Sequence, residues 1–143
     1  MLNIKDVLNT KGNIMWTVDP LATVYEALEI MADKNIGALL VVDGGKLVGI
    51  FSERDYARKV VLRGKHAQDI RIEELMTKEV YSVTPNETVE ECMAVMTAAH
   101  CRHMPVFEGQ ELIGVVSIGD IVNATITEHK VKIRDLEKYI MGF

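Results

Sequence analysis

The sequence predicts an α+β protein: two pseudo-twofold related β-α-β-β-α repeats packed as one module, followed by a C-terminal helix. Three observations carry that expectation. Sliding the 143-residue chain over itself by 65 residues lays Thr17–Val60 on Ser82–Thr125 without a gap. Each copy holds one amphipathic stretch with apolar residues at i, i+3, i+4 and i+7, then two apolar runs joined by a glycine-bearing turn. The composition, 48% hydrophobic and 26% charged, is ordinary for a globular chain and too apolar for a disordered one.

The identities between the copies include Val18/Val83, Pro20/Pro85, Thr23/Thr88, Met31/Met96, Gly49/Gly114, Ser52/Ser117 and Asp55/Asp120. Upstream, Ile4–Leu8 resembles Ile72–Met76 at an offset of 68, so the first copy carries three extra residues around Gly12. This divides the chain into a first repeat (1–64), a linker (65–71), a second repeat (72–128) and a helical tail (129–143). A unit of this size buries only about 60% of its unfolded surface and is marginal alone. The copies are therefore expected to pack on each other, forming clefts of the kind ligands favour.

Within each copy the elements follow one order. A short strand at Met15–Val18 (Val80–Val83) ends before a proline. Thr23-x-x-Glu26 and Thr88-x-x-Glu91 read as capping boxes, in which the hydroxyl takes an early amide and the glutamate reaches back. The helices they open bury Val24, Ala27, Leu28 and Met31, or Val89, Cys92, Met93 and Met96. Strands Ala38–Val42 and Leu47–Phe51 flank Asp43-Gly44-Gly45, a hairpin signal, and Met104–Phe107 and Leu112–Val116 repeat it. A second helix starts after Ser52 and again after Ser117. The tail places Ile133, Leu136 and Ile140 on one helical face.

Composition narrows the function. A net charge of −5 gives little general attraction for nucleic acid or an anionic membrane. The longest apolar run, Ala38–Val42, is far short of the roughly 20 residues a membrane helix needs. The first six residues carry no basic-then-apolar secretory pattern, so a cytoplasmic location is expected. Cys92 and Cys101 align with the apolar Ala27 and Ile36 and read as buried, inert thiols. His100-Cys101-Arg102-His103 lacks the spacing of a closed zinc site, so no metal is expected. No Walker loop or Ser/His/Asp order is visible, and a serine beside a capping aspartate lacks the base a nucleophile needs, so no enzyme is expected.

The chemistry-bearing pattern is Ser-x-x-Asp, at Ser52/Asp55 and Ser117/Asp120. The pattern itself caps helices. The same geometry also offers a ligand the unpaired amides and partial positive charge of a helix start, and an aspartate able to accept two hydrogen bonds from a ribose diol. Gly49 and Gly114 would then mark close approach of ligand to backbone. Arg54 and Arg58 lie four apart where copy two has Gly119 and Asn123, so they either form a solvated face or meet phosphate. Trp16 either stacks on a base or fills core, the latter being favoured.

The motif Gly-apolar-apolar-Ser-x-x-Asp, found as Gly49–Asp55 and Gly114–Asp120 in register with the repeat, resembles that of the tandem cystathionine-β-synthase (CBS) domain pair, or Bateman module. The likeness covers about residues 1–128. Lys11-Gly12, Ser52–Lys59 and Arg102–Val106 are similar to segments of small stand-alone CBS-pair signalling proteins. The resemblance implies clefts that bind adenosine ligands, AMP first and ADP, ATP, NADH or S-adenosylmethionine as alternatives, with no catalytic cofactor. It implies Arg102 and His103 against phosphates, and an adenine-reading region around Thr10, Lys11, Trp16, Thr77 and Tyr81. It also implies a disc-like homodimer and a role as a regulator of a partner protein in response to energy or redox state. Two alternatives stand beside it: a ligand-independent interaction module, and, less favoured, an enzyme acting on nucleotides.

Overall fold

The structure is a computed structural model and describes residues 1–12 and 14–141. In chain order its elements are α1 (Ile4–Lys11), β1 (Thr17–Val18), α2 (Val24–Lys34), β2 (Ala38–Asp43), β3 (Lys46–Ser52), α3 (Glu53–Tyr56), α4 (Ile72–Leu75), α5 (Val89–Ala99), β4 (His103–Glu108), β5 (Glu111–Ser117) and α6 (Ile118–Met141). A π-helical turn, Ala57–Val61, extends α3, and Ala67–Asp69 is a 3-10 turn. Two compact units result. One is Met15–Val80; the other joins Met1–Ile14 to Tyr81–Phe143.

The Met15–Val80 unit begins with β1, parallel to β2, which is antiparallel to β3. Gly44 and Gly45 both take positive φ in the hairpin turn, a conformation side chains resist. Thr23 opens α2 as expected: its hydroxyl accepts from the Glu26 N–H at 3.1 Å, and the Glu26 carboxylate accepts from the Thr23 N–H. Asn35, in the left-handed conformation, ends it. Val24, Ala27 and Met31 of α2 share one core with Leu39, Val41, Phe51 and Val60, while Leu28 packs at its border. Ile72 and Leu75 of α4 complete that core. The expected linker is part of the same unit. Ile70 is buried, its carbonyl takes the Val24 N–H at 2.8 Å, and the Arg71 guanidinium donates to the Leu21 carbonyl.

The other unit has a second core. Ile4, Val7 and Leu8 of α1 join Val89, Cys92 and Met96 of α5 with Met104, Val106, Val116 and Ile121. The hairpin β4-β5 repeats β2-β3 pair for pair: Val106 faces Gly114 as Val41 faces Gly49, and the register shifts just after each.

Four expectations need correction. Val80–Val83 is not a strand; it shrinks to one parallel bridge between Val83 and Val106, the counterpart of Val18 and Val41. The second capping box is half made: the Thr88 hydroxyl accepts from Glu91 N–H, while the carboxylate that reaches back does so one turn earlier, from Glu87 to Thr84 N–H. The tail is helical as expected but not a separate element, because α6 runs unbroken from the second repeat through to Met141. No glycine or proline interrupts residues 120–141 to end it. Gly142 and Phe143, the end of the expected tail, lie outside the described residues. Trp16, expected as core, is 40% exposed, with the Lys34 ammonium 4.4 Å above its ring centroid.

Candidate functional site

Each unit brings its Ser-x-x-Asp to the start of a helix that leaves a hairpin, and each does it alike. Ser52 and Ser117 end β3 and β5, and their hydroxyls accept from the Asp55 and Asp120 N–H at 3.2 and 3.1 Å. The carboxylates reach back to the serine N–H at 3.0 and 2.8 Å. So the capping role is real in both copies. The backbone entry is shared as well: Glu53 N–H donates to the Gly37 carbonyl at 3.0 Å and Ile118 N–H to the Arg102 carbonyl at 2.8 Å.

The glycine of the motif is explained by packing inside its own unit. A Cβ on Gly49 would lie 2.7 Å from Met76 Sδ and 2.9 Å from the Thr77 carbonyl oxygen. One on Gly114 would lie 2.8 Å from Leu8 Cδ2. Close approach of the 4–8 or 72–76 helix and the residues after it thus accounts for both glycines.

Beyond the cap the two sites diverge. Asp55 is the buried charged residue of its unit, 8% exposed, and both oxygens are occupied. Oδ1 meets Lys59 Nζ at 3.0 Å and accepts from the Thr77 hydroxyl at 3.2 Å. Oδ2 takes the Ser52 N–H and the Ser52 hydroxyl. Lys59, whose Nζ also donates to the Leu75 carbonyl at 2.9 Å, was not among the sequence candidates. Its signal was present, a lysine four residues after the motif aspartate; copy two has Ala124 there. Arg54 and Arg58 lie on the exposed side. Thr77 joins this network, whereas the exposed Trp16 ring is engaged by Lys34 instead.

Asp120 is held by a lysine from elsewhere in the chain. Lys11, the last residue of α1, donates from Nζ to Asp120 Oδ2 at 2.6 Å and to the Val115 carbonyl at 2.9 Å. Among the described residues every bond to this carboxylate falls on Oδ2. Burial pushes the Asp120 carboxyl up, but Lys11 and the Ser117 N–H and hydroxyl outweigh it, leaving it below its ordinary value. His103, paired with Ser117 across β4-β5, is half-buried. Desolvation first, then the charges of Lys11 and Arg102, lower its pKa, against an opposing pull from Asp120. Lys11, Arg102, His103, Ser117 and Asp120 thus surround the start of α6. Tyr81 belongs to this unit and is exposed; Thr10 bonds its own helix, donating to the Asp6 carbonyl.

The two cysteines, both expected buried, differ: Cys101 is only half-buried. Cys92 and Cys101 are free; Cys92 is buried, and desolvation pushes its thiol up to about 11. Among the described residues no cluster of His, Cys, Asp and Glu could hold a metal ion, and no helix is long and apolar enough to cross a membrane.

Comparison with known proteins bears on this geometry. The CBS domain family profile matches twice, at residues 4–62 and 72–126. The chain is 39% identical over 97% of its length to 72% of "CBS domain-containing protein CBSX3, mitochondrial" of Arabidopsis thaliana. Among solved structures, a protein with CBS domains from Burkholderia ambifaria superposes with a TM-score of 0.85 at 46% identity, over 87% of this chain and 94% of that one. The CBS domain pair of protein MJ0100, solved with 5′-methylthioadenosine and S-adenosyl-L-methionine, gives 0.78 at 28% identity, over 90% and 98%.

Proposed function

The chain belongs to the CBS-domain family, carrying the domain in two copies, and from that premise we propose that it is a non-catalytic regulatory module that binds an adenine nucleotide at the Ser117–Asp120 site. AMP is the expected ligand, with ADP, ATP and NADH as the alternatives. The observation that carries the reading is the inequality of the two aspartates. Asp55 has both oxygens engaged by its own unit, whereas Asp120 keeps Oδ1 outside its internal bonds and can accept a ribose hydroxyl there. Lys11, Arg102 and the amides opening α6 place positive charge beside it, suited to phosphate oxygens. The adenosine ligands of the MJ0100 domain pair support the ligand class. In this reading the protein is a cytoplasmic homodimer whose ligand state alters the docking of a regulated partner.

The test is a thermal-shift panel on nucleotide-free protein with AMP, ADP, ATP, NADH and S-adenosylmethionine. Free ligand at about 100 times its dissociation constant adds roughly 2.7 kcal/mol of stability. One ligand should raise the unfolding temperature, Asp120→Ala should abolish the rise, and Asp55→Ala should leave it. Silence from all five at millimolar concentration would refute the proposal.

A further inference from the structure

The second half of α6 carries apolar side chains that nothing described covers. Its first half is held in the core by Ile121, with Ile118 and Ala124 packed alongside, and Glu128 meets the Met1 amine at 3.5 Å. From His129 to Ile140 every residue is exposed. Yet Ile133, Leu136 and Ile140 are 56%, 60% and 78% exposed, which is apolar area of the kind that marks an interaction surface. A helix without tertiary packing has little to stabilise it in water.

The spacing identifies the occupant. Val122, Ile126, His129, Ile133, Leu136 and Ile140 follow one another at alternating intervals of four and three, the heptad seam of a coiled coil. The seam lies roughly 100° around the helix from the face packed into the unit, at 3.6 residues per turn, so both can be satisfied at once. Isoleucine fills the a positions (126, 133, 140), and valine and leucine fill two of the three d positions, with His129 the one polar member. β-Branched a positions with leucine at d favour two parallel strands. Charge agrees with that arrangement: Lys132 at g and Glu137 at the following e are opposite in sign and meet across a parallel pair. Lys132 is itself exposed, and its ion pair with the half-buried Glu128 is a long one, 3.7 Å.

We propose that α6 pairs with α6 of a second copy of this chain as a short parallel coiled coil, Lys132 of each helix facing Glu137 of the other. This seam is independent of the nucleotide site, so either can fail without the other.

Sedimentation velocity of the full chain over a range of concentrations tests it. Ile133→Asp/Leu136→Asp should halve the particle mass and lower the far-ultraviolet circular dichroism by no more than the exposed half of α6 contributes, while leaving any nucleotide-induced thermal shift in place. Glu137→Lys should weaken association, and Lys132→Glu/Glu137→Lys should restore it. Unchanged mass in the double aspartate variant, or a wild-type protein monomeric at every concentration, would overturn the seam. A charge swap that fails to restore association would overturn the parallel pairing.

Discussion

Alanine at the two motif glycines should separate two positions that sequence makes equivalent. Neither glycine has a positive φ, so the cost of a methyl group is set by what it meets. At Gly114 the three atoms nearest the methyl all belong to Leu8, with Cδ2 at 2.8 Å, Cδ1 at 3.3 Å and Cγ at 3.7 Å. Leu8 is buried in the core, but relieving this contact asks for movement of one side chain and of no backbone. At Gly49 it meets Met76 Sδ at 2.7 Å and Cγ at 2.9 Å, and also the Thr77 carbonyl oxygen at 2.9 Å, which is backbone. That backbone is tied to the neighbouring strand residue: Ile50 N–H donates to Thr77 O at 3.0 Å and Thr77 N–H to Ile50 O at 2.8 Å. Moving Thr77 therefore strains both bonds, each with a net value of about 1 kcal/mol, besides an overpacking cost of about 1–3 kcal/mol. Against this, alanine restricts the unfolded chain and returns about 0.4–1 kcal/mol at either position. Gly49→Ala should then destabilise by roughly 2–4 kcal/mol, and Gly114→Ala, which strains no backbone bond, by about 1–2 kcal/mol less. Urea unfolding followed by circular dichroism measures both. Adding Met76→Ala should rescue only part of the Gly49→Ala loss, because the carbonyl contact remains. Equal losses at the two glycines, or a larger one at Gly114, would refute the account of why the motif glycine is there.

Lys59→Met should destabilise by about 1–3 kcal/mol, below the usual cost of breaking a fully buried pair because the Lys59 side chain is 34% exposed and its field is screened by solvent. Lys59→Met/Asp55→Asn should recover part of that loss in denaturant melts, since no unpaired charge then remains. Acidification should destabilise the protein in two stages. The His103 pKa is lowered on folding, so its contribution is complete above the unfolded value of about 6.5 and is lost as pH falls through the folded one. Asp120 is likewise lowered, so its contribution is complete above about 3.9 and disappears at still lower pH. Unfolding temperatures from pH 7.5 down to 5 should fall less steeply in His103→Asn than in wild type; parallel curves would contradict the first stage.

Much of each unit was legible because its signals are local. The Thr23 capping box, the Gly44-Gly45 turn and the i, i+3, i+4, i+7 face of α2 depend on residues a few positions apart, and they formed as read. The repeat carried further than any one signal: β2-β3 and β4-β5 have the same register and the same irregularity because they have the same sequence pattern. Where the copies differ in strength the reading failed. Val80–Val83 holds one bridge where Thr17–Val18 forms a strand, and Glu91 leaves its capping box half made.

The candidate site was half legible for the same reason. Both Ser-x-x-Asp caps follow from three-residue spacing, and Lys59 was within reach of a four-residue rule. Lys11 was named for its place in the chain, but its bond to Asp120 spans 109 positions, and no periodicity encodes such a contact.

By itself, then, the sequence determined two copies of one α+β plan, the place of each helix cap and hairpin, and which residues open the helices after Ser52 and Ser117. Only the tertiary structure decided which core each of the two similar short helices joins. Ile4–Leu8 and Ile72–Met76 are alike, and each could suit either copy by pattern; α1 packs with the second repeat's core and α4 with the first's. That choice places Leu8 against Gly114 and Met76 against Gly49, and it places Lys11 on Asp120 while Lys59 and Thr77 close Asp55. The physical reason is that an amphipathic helix specifies an apolar face but not its partner. The partner is selected by packing, and here that selection, together with Lys59 where the second copy has Ala124, makes two copies of one motif into unequal sites.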